Sequence, residues 1–226
     1  LIAEQPMYMF LTHLVHKYPE YTAIAQQYTG YKILDNSLIE LGRAAGLDAV
    51  LKAAELIHAD EIILPDVFCD GPRTLDALYK ALNRLRESGY TGKVMAVCQG
   101  KSIAEFEETF QHMIRFPIDT IGIPKVLAKL SPRGRPGVEY LWYSLPRNIQ
   151  VHLLGIWYSF SELEQYRYPD RIRSVDSCLT AYFAYNQMRN NEVRADGMTL
   201  DLETSVIDKG DFRACLPTKS FLNSLR

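Results

Sequence analysis

The chain has 226 residues, 47% of them hydrophobic and 23% charged, with a formal net charge of −2. That is the composition of a soluble globular protein with one large core, and the length fits one α/β barrel better than two small domains. No apolar run approaches the ~20 residues of a membrane-spanning helix and no global basic field announces nucleic acid, so a cytoplasmic protein without a membrane partner is expected.

In chain order, Met7 to Leu14 is apolar enough for a first buried strand, with a helix start as the alternative. Pro19 to Gln27 predicts a helix opened by proline, with Glu20 in its first turn and Gly30 closing it. A second strand, Tyr31 to Leu34, runs into Asp35. Ala44 to His58 carries Leu47, Val50, Leu51, Ala54 and Leu56 at helical spacing, and a third strand, Glu61 to Leu64, ends at Pro65-Asp66. Pro72 to Ser88 is the clearest helix, stopped by Gly89. The fourth strand, Lys93 to Val97, ends in Cys98-Gln99-Gly100, and Ser102 with Glu105 three residues on predicts a capping box. Asp119 to Ile123, Ile149 to Ile156 and Ile172 to Val175 follow as strands five to seven, and Met198 to Thr204 supplies either an eighth strand or a closing hairpin.

Strand and helix alternate with short connections, which predicts a parallel sheet with helices outside. The expectation is an α/β fold: a compact TIM-type (β/α)8 barrel as a single domain over 1–226, with 190–226 wrapping it. One segment departs from the alternation. Leu130 to Gly137 is a Pro/Gly-rich loop bearing Arg133 and Arg135, suited to phosphate contacts if it is a mobile site loop and otherwise a solvated surface loop.

The predicted strand ends carry the chemistry. Asp35, Asp66, Gln99, Gly122 and Asp176 all stand at C-terminal ends, which in a barrel converge on one face. Two carboxylates there can divide labour, one as nucleophile at a sugar anomeric carbon and one as general acid/base. A further Asp and a Gln suit the edge of a planar heterocycle, and Gly122 would admit a flat ligand close to the backbone. Singly, an Asp after a strand is as readily a helix cap or turn former; five such residues at equivalent positions together point to a site. Cys69, Cys98, Cys178 and Cys215 form no Cys-x-x-Cys pair, and His13 and His16 have no ligand frame around them, so neither a metal nor another cofactor is expected.

The order Leu34-Asp35-Asn36-Ser37, Leu64-Pro65-Asp66, Val97-Cys98-Gln99-Gly100, Ile121-Gly122-Ile123 and Val175-Asp176-Ser177-Cys178 resembles the tRNA-guanine transglycosylases. It is more similar still to their compact phage and bacterial relatives that put 7-deazaguanines into DNA. The resemblance covers about Ile33 to Cys178 and lies in the order of short motifs. It implies an enzyme that exchanges guanine in DNA for a free 7-deazaguanine base such as preQ0, through a covalent aspartyl-glycosyl intermediate. Asp176 would be the nucleophile and Asp35 the general acid/base. Asp66, Gln99 and Gly122 would hold the base, with Ser37 and Gly100 in the same motifs, and Gly155 of His152-Leu153-Leu154-Gly155 would leave room near the sugar.

Departures from the family pattern bear on the substrate. The tRNA enzymes have Asp-Ser-Gly-Gly where this chain has Asp35-Asn36-Ser37-Leu38, and Gln where it has Glu40. Cys178 and Cys215 do not reproduce their zinc site, so a barrel without the zinc-binding subdomain or an RNA-binding module is expected, favouring DNA with tRNA as the alternative polymer. The target nucleotide would be flipped out or single-stranded. Arg133, Arg135 and Arg173, with Arg147 and Arg171, are the candidate phosphate contacts; Tyr140, Trp142, Tyr143, Trp157 and Tyr158 would stack on bases or belong to the core. The low net charge points to help from a homodimer or a partner subunit. Two other readings use the same residues: a barrel glycosidase or nucleosidase that admits water, and a silent partner subunit, against which the presence of both Asp35 and Asp176 counts.

Overall fold

Short apolar segments of three to five residues alternate with amphipathic ones, and each apolar segment becomes a strand whose neighbour in sequence is its neighbour in the sheet. The computed structural model describes residues 7–156 and 160–177. The strands are β1 (Met7–Leu11), β2 (Tyr31–Asp35), β3 (Glu61–Ile63), β4 (Lys93–Val97), β5 (Thr120–Pro124), β6 (Gln150–Leu154) and β7 (Ile172–Val175). They pair in that order, all parallel. The helices are α1 (Thr12–Lys17), α2 (Pro19–Gln27), α3 (Leu38–Leu41), α4 (Leu47–Ile57), α5 (Gly71–Ser88), α6 (Ile103–Met113) and α7 (Leu127–Leu130), and tighter 3₁₀ turns run over Arg135–Ser144, Phe160–Gln165 and Pro169–Arg171. None of the helices among the described residues is long and apolar enough to cross a membrane.

Local chemistry sets the helix ends. Asp70 accepts the Arg73 amide at 3.0 Å to start α5, and Gly89 at φ +70° ends it. Only half of the expected capping box forms at α6. Ser102 Oγ accepts the Glu105 amide at 3.2 Å, but the Glu105 carboxylate turns to the Gly71 amide at 2.9 Å instead of reaching back. One acidic side chain thereby satisfies an orphan donor of the neighbouring helix and ties the starts of α5 and α6 together. The first strand is shorter than Met7 to Leu14: the chain turns into α1 at Thr12, whose hydroxyl donates to the Asp35 carbonyl at 2.6 Å.

The closed eight-stranded barrel is corrected by the topology. The described sheet is an open half-barrel of seven parallel strands; among the described residues β1 pairs with β2 alone and β7 with β6 alone. Hydrogen bonding between the first and last strands is what closure requires, and it is not present here. The proposed eighth strand (Met198 to Thr204) and the wrapping segment 190–226 lie outside the described residues, as do Trp157 and Tyr158.

The sheet has a packed core on each face. Outside, Leu34, Ile62, Ala96, Ile121 and Val151 meet the helices through Val50, Ile57, Leu78, Phe106 and Phe110. Inside the concavity, Ile33, Ile63, Met95 and Val97 form a small buried plug with Met9, Tyr31 and Leu154 against it. Below that plug, β7 carries a bulge: Val151 faces Ile172 and His152 faces Ser174, leaving Arg173 as the extra residue. Arg173 Nη1 reaches Glu61 Oε2 on β3 at 2.7 Å, and Tyr31 donates its hydroxyl to the same oxygen at 3.0 Å. Four strand spacings of ~4.8 Å would separate β3 from β7 by about 19 Å in a flat sheet, farther than the two side chains reach together. The ion pair therefore requires the sheet's curvature and braces it.

Glu61 is fully buried, and Glu61 Oε1 and Arg173 Nη2 are without hydrogen bonds among the described residues. A buried pair of this kind is costly to break and cheaper to replace whole. Arg173→Met is expected to lower the unfolding free energy by about 3 kcal/mol, and adding Glu61→Met to restore most of the loss. A double-mutant cycle in urea measures both; strictly additive losses would rule out the brace.

Candidate active site

Two of the predicted groups, Asp66 and Gln99, meet above the plug, and Asn36 joins them. Asp66 is buried, and each oxygen is held by an amide: Asn36 Nδ2 donates to Oδ1 at 2.8 Å and Gln99 Nε2 to Oδ2 at 2.6 Å. Asn36 also donates to the Leu64 carbonyl at 2.8 Å and accepts the Leu38 amide at 3.0 Å, while Gln99 Oε1 accepts the Cys69 amide at 3.1 Å. Burial nonetheless outweighs these amides and holds the Asp66 carboxyl up at about 6. A carboxylate has about four lone-pair sites, and beyond these two amides and the backbone hydrogen bond from its own residue one remains for a ligand's N–H.

Asp35 ends β2 beside this network. Its Oδ2 accepts the Ser37 amide at 2.7 Å, a tight local turn that puts Ser37 at φ +59°. Burial raises its carboxyl to about 8, and the charges of Glu40, Asp176 and Asp66 push the same way against that hydrogen bond. Near neutral pH Asp35 is thus an acid with a proton to give. Asp176 lies just past β7, its side chain 30% exposed. Its Oδ1 accepts twice, from the Gly155 amide at 2.9 Å and from His152 Nε2 at 3.0 Å, while Oδ2 carries no hydrogen bond among the described residues. A proton donor and a carboxylate with one oxygen pinned and one open are coupled through their charges. That combination can support attack by one group and protonation of a leaving group by the other.

Other predicted site residues serve the scaffold. Gly122 gives its space to the plug: a Cβ there would meet Leu154 Cδ1 at 2.9 Å and Val97 Cγ2 at 3.2 Å, and its carbonyl already accepts the Cys98 amide at 2.9 Å. A Cβ on Gly100 would stand 2.6 Å from the Phe106 nitrogen, so that glycine lets the β4 loop close on α6. Ser37 is buried, its hydroxyl accepting the His13 amide at 3.3 Å. Gly155, at φ +68°, remains in the site through its amide.

The arginine expectations need the largest correction. Arg135 is fully buried and its guanidinium is spent inside the protein, on the carbonyls of Ile123 (3.0 Å), Leu154 (2.7 Å) and Gly155 (2.8 Å) and on Glu162 (2.6 Å). Arg173 is committed to the Glu61 brace, and Arg171 donates to the carbonyls of Leu145 and Pro146. A donor turned inward cannot neutralise a phosphate. Arg133 stays exposed. Trp142 is core, stacked on Tyr166 with ring centroids 5.4 Å apart.

Basic groups gather elsewhere. A cleft of about 690 Å³ between α1 and the α3–α4 connection is lined by His13, His16, Lys17 and Arg43 and borders the Asp35 loop through Thr12. Three groups that sequence reasoning did not assign, Asn36, His152 and Ser174, complete the site. The available signal for His152 was its place two residues before Leu154 on an alternating strand, which points both inward. Among the described residues no group of three or more His, Cys, Asp or Glu is placed to hold a metal ion.

Asp35 gives the fold a pH dependence of definite sign. An unfolded aspartate ionises near pH ~4, whereas the native carboxyl holds its proton to about 8. Between those values the native state binds the extra proton, so this group's contribution to stability falls as pH rises from about 4 to about 8 and is level beyond. Asp66 adds the same sign up to about 6. Asp35→Asn keeps an acceptor for the Ser37 amide. It is expected to stabilise by on the order of 2 kcal/mol at pH 8, discounted for partial exposure, and by nothing measurable at pH 4; urea titrations at both pH values check this. Glu40→Gln should lower the Asp35 titration midpoint in carboxyl NMR, and an unchanged midpoint would remove Glu40 as a cause.

No family model matches the chain and no curated protein matches it. Among solved structures, it is similar to the crystal structure of an Amycolatopsis orientalis BexX/CysO complex, at 12% identity and a TM-score of 0.48, covering 78% of this chain and 71% of that one.

Proposed function

We propose that the protein is a pentosyltransferase that exchanges guanine in DNA for a free 7-deazaguanine base. The observation that carries the reading is the pairing of Asp35, an acid that keeps its proton to about 8, with Asp176, a carboxylate presenting one open oxygen. In the first step Asp176 Oδ2 attacks C1′ of the target nucleotide, the bond from C1′ to the base nitrogen breaks, and the departing guanine takes the Asp35 proton. The sugar is left as an ester on Asp176. In the second step the Asp35 carboxylate removes the proton from the incoming base, whose nitrogen attacks C1′ and frees Asp176. Atoms and charge balance over the cycle, and no cofactor enters.

The acceptor capacity left on Asp66 and the second N–H of Gln99 favour exchange over hydrolysis, because they suit the edge of a heterocycle and water alone would not call for them. DNA is taken as the polymer because the stretch from Cys178 to Cys215 holds only those two cysteines, short of the metal cluster of the tRNA enzymes. The cleft with Lys17 and Arg43, rather than Arg135 or Arg173, supplies cationic groups for the phosphates beside a flipped-out nucleotide. A second copy or a partner subunit would extend that contact.

Mass spectrometry of nucleosides from host DNA, and separately from tRNA, tests the reading in cells that also make a 7-deazaguanine. The expected result is a deazaguanine nucleoside in DNA that disappears with Asp176→Ala. Its appearance in tRNA alone would overturn the polymer, and its absence from both with a folded protein would overturn the exchange reading. In vitro, guanine release should fall about tenfold per pH unit above pH ~8, as the Asp35 proton is lost, and slow at least ~10²-fold in Asp35→Asn.

A further inference from the structure

We infer that His152 is a positioning residue for Asp176, and that its proton is directed by a hydrogen-bond chain running back to the Arg173–Glu61 brace. The inference rests on the reading of Asp176 as nucleophile. His152 is buried on the inner face of β6, with Nε2 3.0 Å from Asp176 Oδ1 and Nδ1 2.7 Å from Ser174 Oγ. The carboxylate only accepts, so Nε2 carries a proton, while Nδ1 could accept from Ser174 or donate to it.

The next link bears on Nδ1. Arg173 Nε lies 3.2 Å from Ser174 Oγ, and a guanidinium can only donate. Ser174 therefore accepts from Arg173 through one of its two lone pairs, and the polarity this imposes favours turning its own hydroxyl proton to His152 Nδ1. The imidazole then carries its proton on Nε2, aimed at Asp176. The polarity runs one way through four residues, from a guanidinium anchored on Glu61 to the carboxylate. At its end, Asp176 Oδ1 receives two N–H groups from different directions, His152 and Gly155. A carboxylate held by one donor still turns about its terminal torsion, whereas two donors on one oxygen fix the plane and commit the other oxygen to the reacting side. The bulge at Arg173 is what makes this possible: it sends the guanidinium inward and puts Ser174 opposite His152.

The test has a readout independent of activity. In ¹⁵N-histidine protein, long-range imidazole spectra assigned through His152→Gln should show His152 as the Nε2–H tautomer at pH 7. Ser174→Thr, which keeps the hydroxyl, should preserve it, and Ser174→Ala should lose it to a mixture. An Nδ1–H tautomer in the wild-type protein, or an unchanged one in Ser174→Ala, would overturn the inference. In base exchange, His152→Leu should lower kcat 10- to 100-fold with KM for the polynucleotide within twofold. His152→Gln, which keeps a donor, should recover part of the loss, and Ser174→Ala should cost nothing further in the His152→Leu background. A loss confined to KM, or additive losses, would also overturn it. A wild-type protein that exchanges no base would sink the exchange reading, while the spectra would still decide the tautomer.

Discussion

The ion pair between Arg173 and Glu61 is the constraint on which the rest of the concavity depends. A seven-stranded parallel sheet has no intrinsic reason to bend until its seventh strand faces its third, and an open sheet lacks the hydrogen-bonded closure that fixes the shape of a barrel. Here a single buried contact under an apolar plug sets the distance between β3 and β7. With that distance set, Asp176 past the end of β7 comes within electrostatic range of Asp35 at the end of β2.

Above the plug, the protein solves a problem of desolvation. Three carboxyl groups, Asp35, Asp66 and Asp176, interact through their charges above an apolar floor, where not all can ionise freely. Asp66 is furnished with two amide donors and Asp176 with two N–H groups on one oxygen, whereas Asp35 has a single backbone amide and lies among other acids. The unequal supply of donors separates the roles: the least well served carboxyl is the one that keeps its proton.

What the sequence disclosed follows from what periodicity can encode. Asp35, Asp66, Gln99 and Asp176 were legible because each follows a short apolar run, and strand ends are visible in a two-residue alternation. The same alternation is silent on whether the last strand bonds to the first, so an open half-barrel and a closed barrel read alike. Arg135 and Arg173 were misread because a sequence displays charge without its partner: nothing near Arg135 in the chain announces three carbonyls and Glu162, and the bulge that turns Arg173 inward leaves no mark in composition. The glycines failed for a related reason, since Gly122 and Gly100 are required by neighbours from other strands and helices. His152 was visible only as the start of the stretch that ends in Gly155, and nothing in an apolar strand shows that its ring meets a carboxylate past the end of the next strand.

Gly155 spans two territories. Its amide holds Asp176, and its carbonyl is held by Arg135, which belongs to the long excursion between β5 and β6. That peptide makes the excursion and the Asp176 carboxylate mechanically continuous, although the excursion looks like surface ornament when the chain is read linearly. For anyone transplanting loops between such scaffolds to change what they accept, the boundary of the exchangeable cassette falls after Arg135. A graft that carried off this arginine would remove a girder of the floor along with the ornament.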